Sequence, residues 1–372
     1  MKSYIITTSF ANNYGALLQA YALRCFVSKV TNDDCAIIDY WPKDSEDVWN
    51  IYYRNIDFRT IVRNIFVFLD FKYRKSFRRR KELIFKFRKE HLNLTHQKYH
   101  TQNEILKDAM FYINSNFICG SDQIWNTTSY WKDPVYFLDF VSLLKGSKAI
   151  AYAPSITDKW LDKDKNELKG YLEKFEALSV REKSDVKQVR ELTDKSVCHV
   201  IDPVFLLEPK EWESFSSNGI KLDFEYILCY FLGTSQNAVS LVNKLKEKTG
   251  LKVVHLNINY HDAFHSDEVI IEASPIDFVS LVKGAKYVVS NSFHCSAFSV
   301  IFKKNYFVIP KNHANSRMGS LQEMCNINNR IFDNNRIAEL SDQDLIIDYS
   351  KTDSAIEVIR NKSMIYLENY LI

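Results

Sequence analysis

The stretch VVSNSFHCSAFSV, residues 288–300, passes from a β-branched run through a polar elbow into small residues alternating with aromatics. Val288 and Val289 suit a buried strand, Ser290 to Ser292 a turn, and the residues from Phe293 onward a helix. A strand that turns directly into a helix is the repeating unit of a parallel α/β sheet. Ligands collect at that junction because the first N–H groups of the helix are unpaired and its dipole is positive there. His294 falls in the first helical turn behind Ser292 as a cap, and the small Cys295, Ser296, Ala297 and Ser299 permit close approach of the helix. Position alone leaves His294 two readings: an imidazole beside an anion site, or a core histidine satisfied by a backbone carbonyl.

The same alternation extends in both directions. Upstream, SYIITTSF (3–10), CAIIDY (35–40), NSNFICG (114–120) and SKAIAYAPS (147–155) read as strands, and GALLQAYALRCFVSKV (15–30) places apolar residues on one helical face. LEKFEALSVRE (172–182) runs from helix to strand, and SVCHVIDPVFLL (196–207) closes the first half with Pro203 as punctuation. A second series begins near residue 222, with strands in FEYILCYFLG, LKVVHLNI, KYVVSNS and NYFVIP and helices between them. The pattern predicts an α/β protein of two doubly wound parallel sheets facing a cleft. Its expected domains are residues 1–210, with a basic helical insertion at about 55–110, and 222–345, followed by a helix at 350–372 that packs back across them.

Composition bounds the function. The chain has 372 residues, 46% of them hydrophobic, and a net charge of +3, a balance that supports two cores and excludes a general polyanion such as nucleic acid as partner. Seven scattered cysteines within apolar runs indicate buried thiols in a reducing compartment. No stretch resembles a signal peptide or a membrane span, so the expected location is the cytoplasm. With 9 glycines and no G-x-G-x-x-G, P-loop or G-x-S-x-G, neither a glycine-cradled dinucleotide nor a serine nucleophile is indicated. HDAFH (261–265) spaces two imidazoles as a helical metal site would, yet no third ligand follows, and no metal is expected.

Residues 64–92 form the strongest charge anomaly. FKYRKSFRRRKELIFKFRKEH (71–91) carries ten Lys or Arg against two Glu, with apolar residues at helical spacing. One reading is an amphipathic helix packed on the first sheet with a solvated basic face. The other is a surface, centred on residues 72–90, that touches anionic headgroups or the diphosphate of a lipid-linked substrate at the inner face of the membrane.

Three further stretches stand where a strand gives way to a turn. ANNYGALLQ places Asn12, Asn13 and Gly15 at a helix entry, CGSDQIWN places Ser121 and Asp122 just past an apolar run, and SVREK places Arg181 at a strand's carboxyl end. If both sheets point these ends inward, a carboxylate, a guanidinium, an imidazole and helix N-termini converge. Such a set suits a small dianion or trianion and an alcohol to be deprotonated.

Taken together and in order, NNYGALLQAYAL, GSDQIWN, SVREK, DPVFLL, SPIDFVSLVKGAKYVVSNSFHCSAFSVIF and NSRMGSL (315–321) resemble the polysaccharide pyruvyl transferase family. The resemblance implies two Rossmann-like domains in a GT-B-like arrangement, the first on the acceptor side and the second on the donor side. It also implies transfer of pyruvate from phosphoenolpyruvate to two hydroxyls of a sugar as a cyclic ketal, without cofactor or metal. The acceptor would be a sugar or lipid-linked oligosaccharide of a cell-surface polysaccharide. By the same resemblance, Arg181 and His294 bind the donor anions, Arg181 through a two-pronged contact. His294 is also a proton source, and Asp122 orients or deprotonates the acceptor hydroxyl. Arg317, in NSRMGSL, is a second donor-binding cation or a surface arginine. Asn13, Gly15, Ser121 and Ser292 shape the cleft. Family members commonly carry glycine where this chain has Cys295. The competing functions are a GT-B glycosyltransferase that uses a nucleotide sugar, and a catalytically idle carbohydrate-binding relative.

Overall fold

The structure is a computed structural model and describes residues 1–372 except 44, 55–56, 127–132, 158, 261–264 and 311–314. In the first half, β1 (Lys2–Ile6), α1 (Tyr14–Thr31), β2 (Ala36–Tyr40), α2 (Phe58–Leu69), α3 (Phe71–His91), β3 (Leu94–Tyr99), α4 (Gln102–Lys107), β4 (Ser115–Cys119) and β5 (Lys148–Ala151) follow one another. Then come α5 (Lys165–Leu172), β6 (Leu178–Val180), α6 (Lys183–Arg190), β7 (Val197–His199) and α7 (Pro209–Phe215). The second half holds β8 (Tyr226–Tyr230), α8 (Gln236–Thr249), β9 (Lys252–Leu256), β10 (Glu268–Ile270), α9 (Pro275–Gly284), β11 (Tyr287–Ser290), α10 (Phe293–Ile301) and β12 (Asn305–Val308). It ends with α11 (Asn315–Met324), α12 (Asn334–Ala338) and α13 (Thr352–Leu371).

Two five-stranded sheets result, in the orders β3-β2-β1-β4-β5 and β10-β9-β8-β11-β12. Every pair in them is parallel. In each, the order reverses beside the first strand, so a crevice opens where β1 meets β4 and where β8 meets β11. The pair β6-β7 extends the first sheet through a single bridge between Ile150 and Ala177. The fold is thus α/β with two Rossmann-like units, a GT-B-like architecture.

Local chemistry sets the helix ends that matter. Asn13 caps α1 by accepting from the N–H groups of Gly15 and Ala16, and Ser292 caps α10 by accepting from that of Cys295. Ser274 and Asp277 form a reciprocal capping box on α9, with Pro275 in its first turn. Every residue of α10 is buried, which its apolar and small composition on all faces permits.

The halves are joined by a continuous apolar core. Tyr14, from the start of α1, stacks on Phe278 of α9 at 5.3 Å, and its hydroxyl donates to the carbonyl of Ala273 at 3.1 Å. Trp212 of α7 meets Phe298 of α10 edge-on at 4.8 Å. The last helix, α13, returns to the first sheet: the Tyr366 hydroxyl donates to the carbonyl of Ala151, and the Ser363 hydroxyl accepts from the N–H of Ile201.

Two expectations need correction, and two strands go beyond the sequence pattern. The basic segment is two helices rather than one, because Asp70 leaves helical geometry and its carboxylate instead accepts from the N–H of Tyr73 to start α3. Nor is its basic face wholly solvated. Arg80 and Arg88 are buried, Arg88 pairing with Asp39 at 2.6 Å, while Ser76 reaches Glu272 of the second half at 2.7 Å. Finally, β3 and β10 are strands that the apolar pattern does not announce. Both are edge strands, half-exposed, where one-sided pairing relaxes the demand for apolar side chains.

Candidate active site

The two crevices face each other through α1 and α10. Gly15 lies against the imidazole of His294 so closely that a Cβ at residue 15 would come within 2.3 Å of Nδ1. Only glycine lets the first turn of α1 approach that ring. His294 is itself buried, its ring edge-on to Phe293 at 5.3 Å.

Behind the histidine lies an ionic cluster supplied by the ends of β6 and β7. Arg181 follows β6, and its Nε donates to Glu182 at 2.8 Å while its Nη1 donates to Oδ2 of Asp202 at 2.9 Å. His294 Nε2 lies 3.5 Å from the same Oδ2, and Asp122 stands 4.0 Å from Arg181 Nη1. The Arg181 guanidinium rests on the ring of Phe293, 4.2 Å from its centroid. Asp202 also caps the short turn Pro203–Phe205 by accepting from the Val204 N–H.

Charge explains how these groups tolerate burial. Burial by itself would raise the Asp202 carboxyl, but His294, Arg181 and the Val204 N–H outweigh it and hold it at about 2. Burial likewise works against the Arg181 cation, and Glu182, Asp202 and Asp122 reverse that effect, pushing its pKa above the usual arginine range. Asp185, one helical turn beyond, is pushed the other way, up to about 7, by burial and by the charge of Glu182.

An open cleft of about 410 Å³ adjoins this cluster. Its lining includes Asn13, Asp122 and Gln123, with Arg63, Tyr73 and Phe77 of the helical insertion and Asn259 of the second half. Asp122 therefore touches both the cleft and the buried cation.

The other predicted residues divide. Ser121 is fully buried and serves the backbone: its hydroxyl donates to the carbonyl of Ala153 at 2.6 Å and its N–H to the Gln19 side chain at 2.9 Å. Ser292 caps α10. Arg317 stands half-buried on α11. Arg181 is held within the cluster by two of its five N–H donors. Its Nε and Nη1 each donate one bond, and among the described residues Nη2 has no hydrogen-bond partner. Among the described residues no group of three or more His, Cys, Asp or Glu is placed to hold a metal, and the first four residues of the HDAFH motif lie outside the described residues.

The sequence reading does not single out two of the cluster's carboxylates, Asp202 and Glu182. Asp202 in DPVFLL and Glu182 in SVREK each follow a strand end, the same signal that singles out Arg181 and Asp122.

A sequence profile described as polysaccharide pyruvyl transferase matches residues 13–312. The chain belongs to the polysaccharide pyruvyl transferase family. That span contains Asn13, Asp122, Arg181, Asp202 and His294, and its members are named as transferases acting on polysaccharide. No curated protein matches the sequence. Among solved structures, the UDP-N-acetylglucosamine 2-epimerase of Rickettsia bellii superposes with a TM-score of 0.53 at 9% identity, over 100% of this chain and 97% of that one. The UDP-GlcNAc 2-epimerase of Neisseria meningitidis gives 0.47 at 10% identity, over 98% and 94%. The heptosyltransferase WaaC of E. coli gives 0.39 at 12% identity, over 86% and 90%. The first of these likenesses speaks to fold alone, and it agrees with the two-unit architecture described above.

Proposed function

We propose that this family member transfers pyruvate from phosphoenolpyruvate to two hydroxyls of a sugar, closing a cyclic ketal. The observation that carries the reading is the meeting of Arg181 and His294, from opposite halves of the chain, at one oxygen of Asp202. The donor is a compact polyanion, and the facing N-termini of α1 and α10 with the buried Arg181 behind them are the cationic end of the site. Arg181 acts mainly through its charge, with Nη2 as its uncommitted donor.

His294 delivers a proton to the methylene carbon of the enol phosphate, leaving an oxocarbenium-like carbon at C2. A sugar hydroxyl in the cleft attacks that carbon and passes its proton to Asp122. The C2–O bond to phosphate then breaks, phosphate departs with the proton held by Asp122, and a second hydroxyl adds and gives its proton back to His294 to complete the ketal. The sum is one donor and one diol giving one ketal and one phosphate. No step requires a metal ion or a cofactor.

Incubation with phosphoenolpyruvate and a panel of sugars, compared with the same sugars and nucleotide-sugar donors, tests this. Phosphate release coupled to a product of ketal mass is the expected result. Nucleotide release without phosphate from phosphoenolpyruvate would replace the proposal with glycosyl transfer.

A further inference from the structure

Helix α2 wears its amphipathicity inside out. At about 100° per residue, Phe58, Ile61, Ile65, Phe68 and Leu69 share one side of the helix, while Thr60 and Val67 fall on the opposite side. It is Thr60 and Val67 that are buried. The five large apolar residues, with Phe71 at the start of α3, are between 43% and 80% exposed. A helix docked on a protein core turns its apolar stripe inward, so this ridge is built to meet something else.

What it meets is indicated by the charge around it. Between residues 58 and 81 the only acid is Asp70, whose carboxylate is occupied in capping α3. Lys72, Lys75 and Arg78 are exposed, and no ion pair among the described residues neutralises them. Arg74 lies over Phe68 and Phe71, at 5.4 and 5.7 Å, tying the cationic helix to the apolar ridge. A second copy of the chain would bring these cations against their own kind. An anionic bilayer offers acyl chains to the ridge and phosphates to its rim.

The inner face of the same hairpin belongs to the cleft. Arg63 donates to the Ile51 carbonyl at 2.9 Å and, with Tyr73 and Phe77, lines the cavity that also holds Asn13 and Asp122. Among the described residues no helix is long and apolar enough to cross a membrane, so any association is at the surface.

We propose that the α2–α3 hairpin seats the protein on an anionic bilayer, α2 lying in the headgroup plane, and that the cleft thereby opens toward acceptors carried on a lipid. The second clause rests on the pyruvyl-transfer reading; the docking itself does not. This moves the contact from residues 72–90 to residues 58–79, since beyond Arg79 the buried Arg80 and Arg88 face inward.

Sedimentation of the full chain with phosphatidylcholine vesicles, with and without phosphatidylglycerol, is the test. Binding is expected only with phosphatidylglycerol, weakened by added salt, and reduced about tenfold or more in an Ile65→Glu/Phe68→Glu variant. The triple variant Lys72→Glu/Lys75→Glu/Arg78→Glu should lose the same binding by removing charge while leaving the ridge intact. Neither variant touches residues that line the cleft, and phosphate release on a soluble sugar acceptor reports their folding. Wild-type protein that ignores anionic vesicles overturns the docking, as does a ridge variant that only converts a dimer to a monomer in light scattering. Vesicle binding without any phosphate release from phosphoenolpyruvate would leave the docking standing and remove the transfer chemistry.

Discussion

Gly15 and His294 are locked face to face: the α-carbon of one sits where no side chain could stand without striking the ring of the other, a Cβ falling 2.3 Å from Nδ1. The first turn of one half thereby fixes the imidazole of the other.

Gly15→Ala sets two opposing effects against each other. Alanine in a helix gains up to about 1 kcal/mol over glycine, whereas overpacking a buried contact costs about 1–3 kcal/mol. Because the neighbour is a buried imidazole with little room to retreat, we expect a net loss of stability of roughly 0–2 kcal/mol and a much larger loss of turnover as the ring is displaced. Denaturant unfolding alongside phosphate release checks it. A variant as active as wild type would mean that the imidazole's position is immaterial.

Asp202 joins Arg181 of one half to His294 of the other, so its removal should damage fold and function together. Asp202→Ala leaves Arg181 with Glu182 and the more distant Asp122 and should cost about 3–5 kcal/mol, as breaking a buried pair does. Asp202→Asn keeps an acceptor for the Val204 N–H and should cost less. The pH dependence follows from the lowered carboxyl, held at about 2 against an unfolded value near 3.9. Its contribution, on the order of 2 kcal/mol, is present above pH ~4 and lost as pH falls through the folded value. The stability gap between wild type and Asp202→Asn should therefore shrink between pH 4 and pH 2. A gap that stays constant on acidification would sink the assignment.

Arg181→Ala removes the guanidinium that donates to both buried carboxylates, Glu182 and Asp202, and a misfolded or weakened protein is the expected result. Arg181→Lys and His294→Gln are the cleaner probes. Lysine keeps the charge but cannot span Glu182 and Asp202 with fixed geometry; glutamine keeps hydrogen-bonding capacity but not the proton. Both should stay folded by circular dichroism and lose phosphate release by about 100-fold or more. Normal turnover in His294→Gln would transfer the proton-donor role to another group.

The strand-to-helix junctions were legible because β-branched runs end abruptly in Asn, Gly, Ser or Asp, and those junctions place Asn13, Asp122, Arg181 and His294 around one region. Less visible was which way each residue points. Ser121 sits at a junction and turns inward to the backbone. Asp202, followed by proline, reads as a turn residue until Arg181 and His294 are found on its carboxylate. Helix α2 shows the limit most clearly, since periodicity reveals an apolar stripe but carries no information about which side of the helix meets the protein. The short edge strand Glu268–Ile270 offers three residues to a pattern that needs more.

Asp185 supplies a test at the alkaline end. Its carboxyl is pushed up to about 7, first by burial and then by the charge of Glu182, despite the Ile156 N–H that donates to it at 3.1 Å. The folded state therefore binds a proton that the unfolded chain has released, and stability falls as pH climbs from about 4 to the folded value, by on the order of 4 kcal/mol in all. Asp185→Asn keeps an oxygen for the Ile156 N–H and cannot ionise, so it escapes this loss. Thermal unfolding across pH 5 to 8 should show the variant gaining on wild type as pH rises, with the difference levelling off once Asp185 is ionised in the fold. Parallel curves would mean that the carboxyl is already ionised at pH 5, and that the cluster around Arg181 accommodates one more negative charge than its burial suggests.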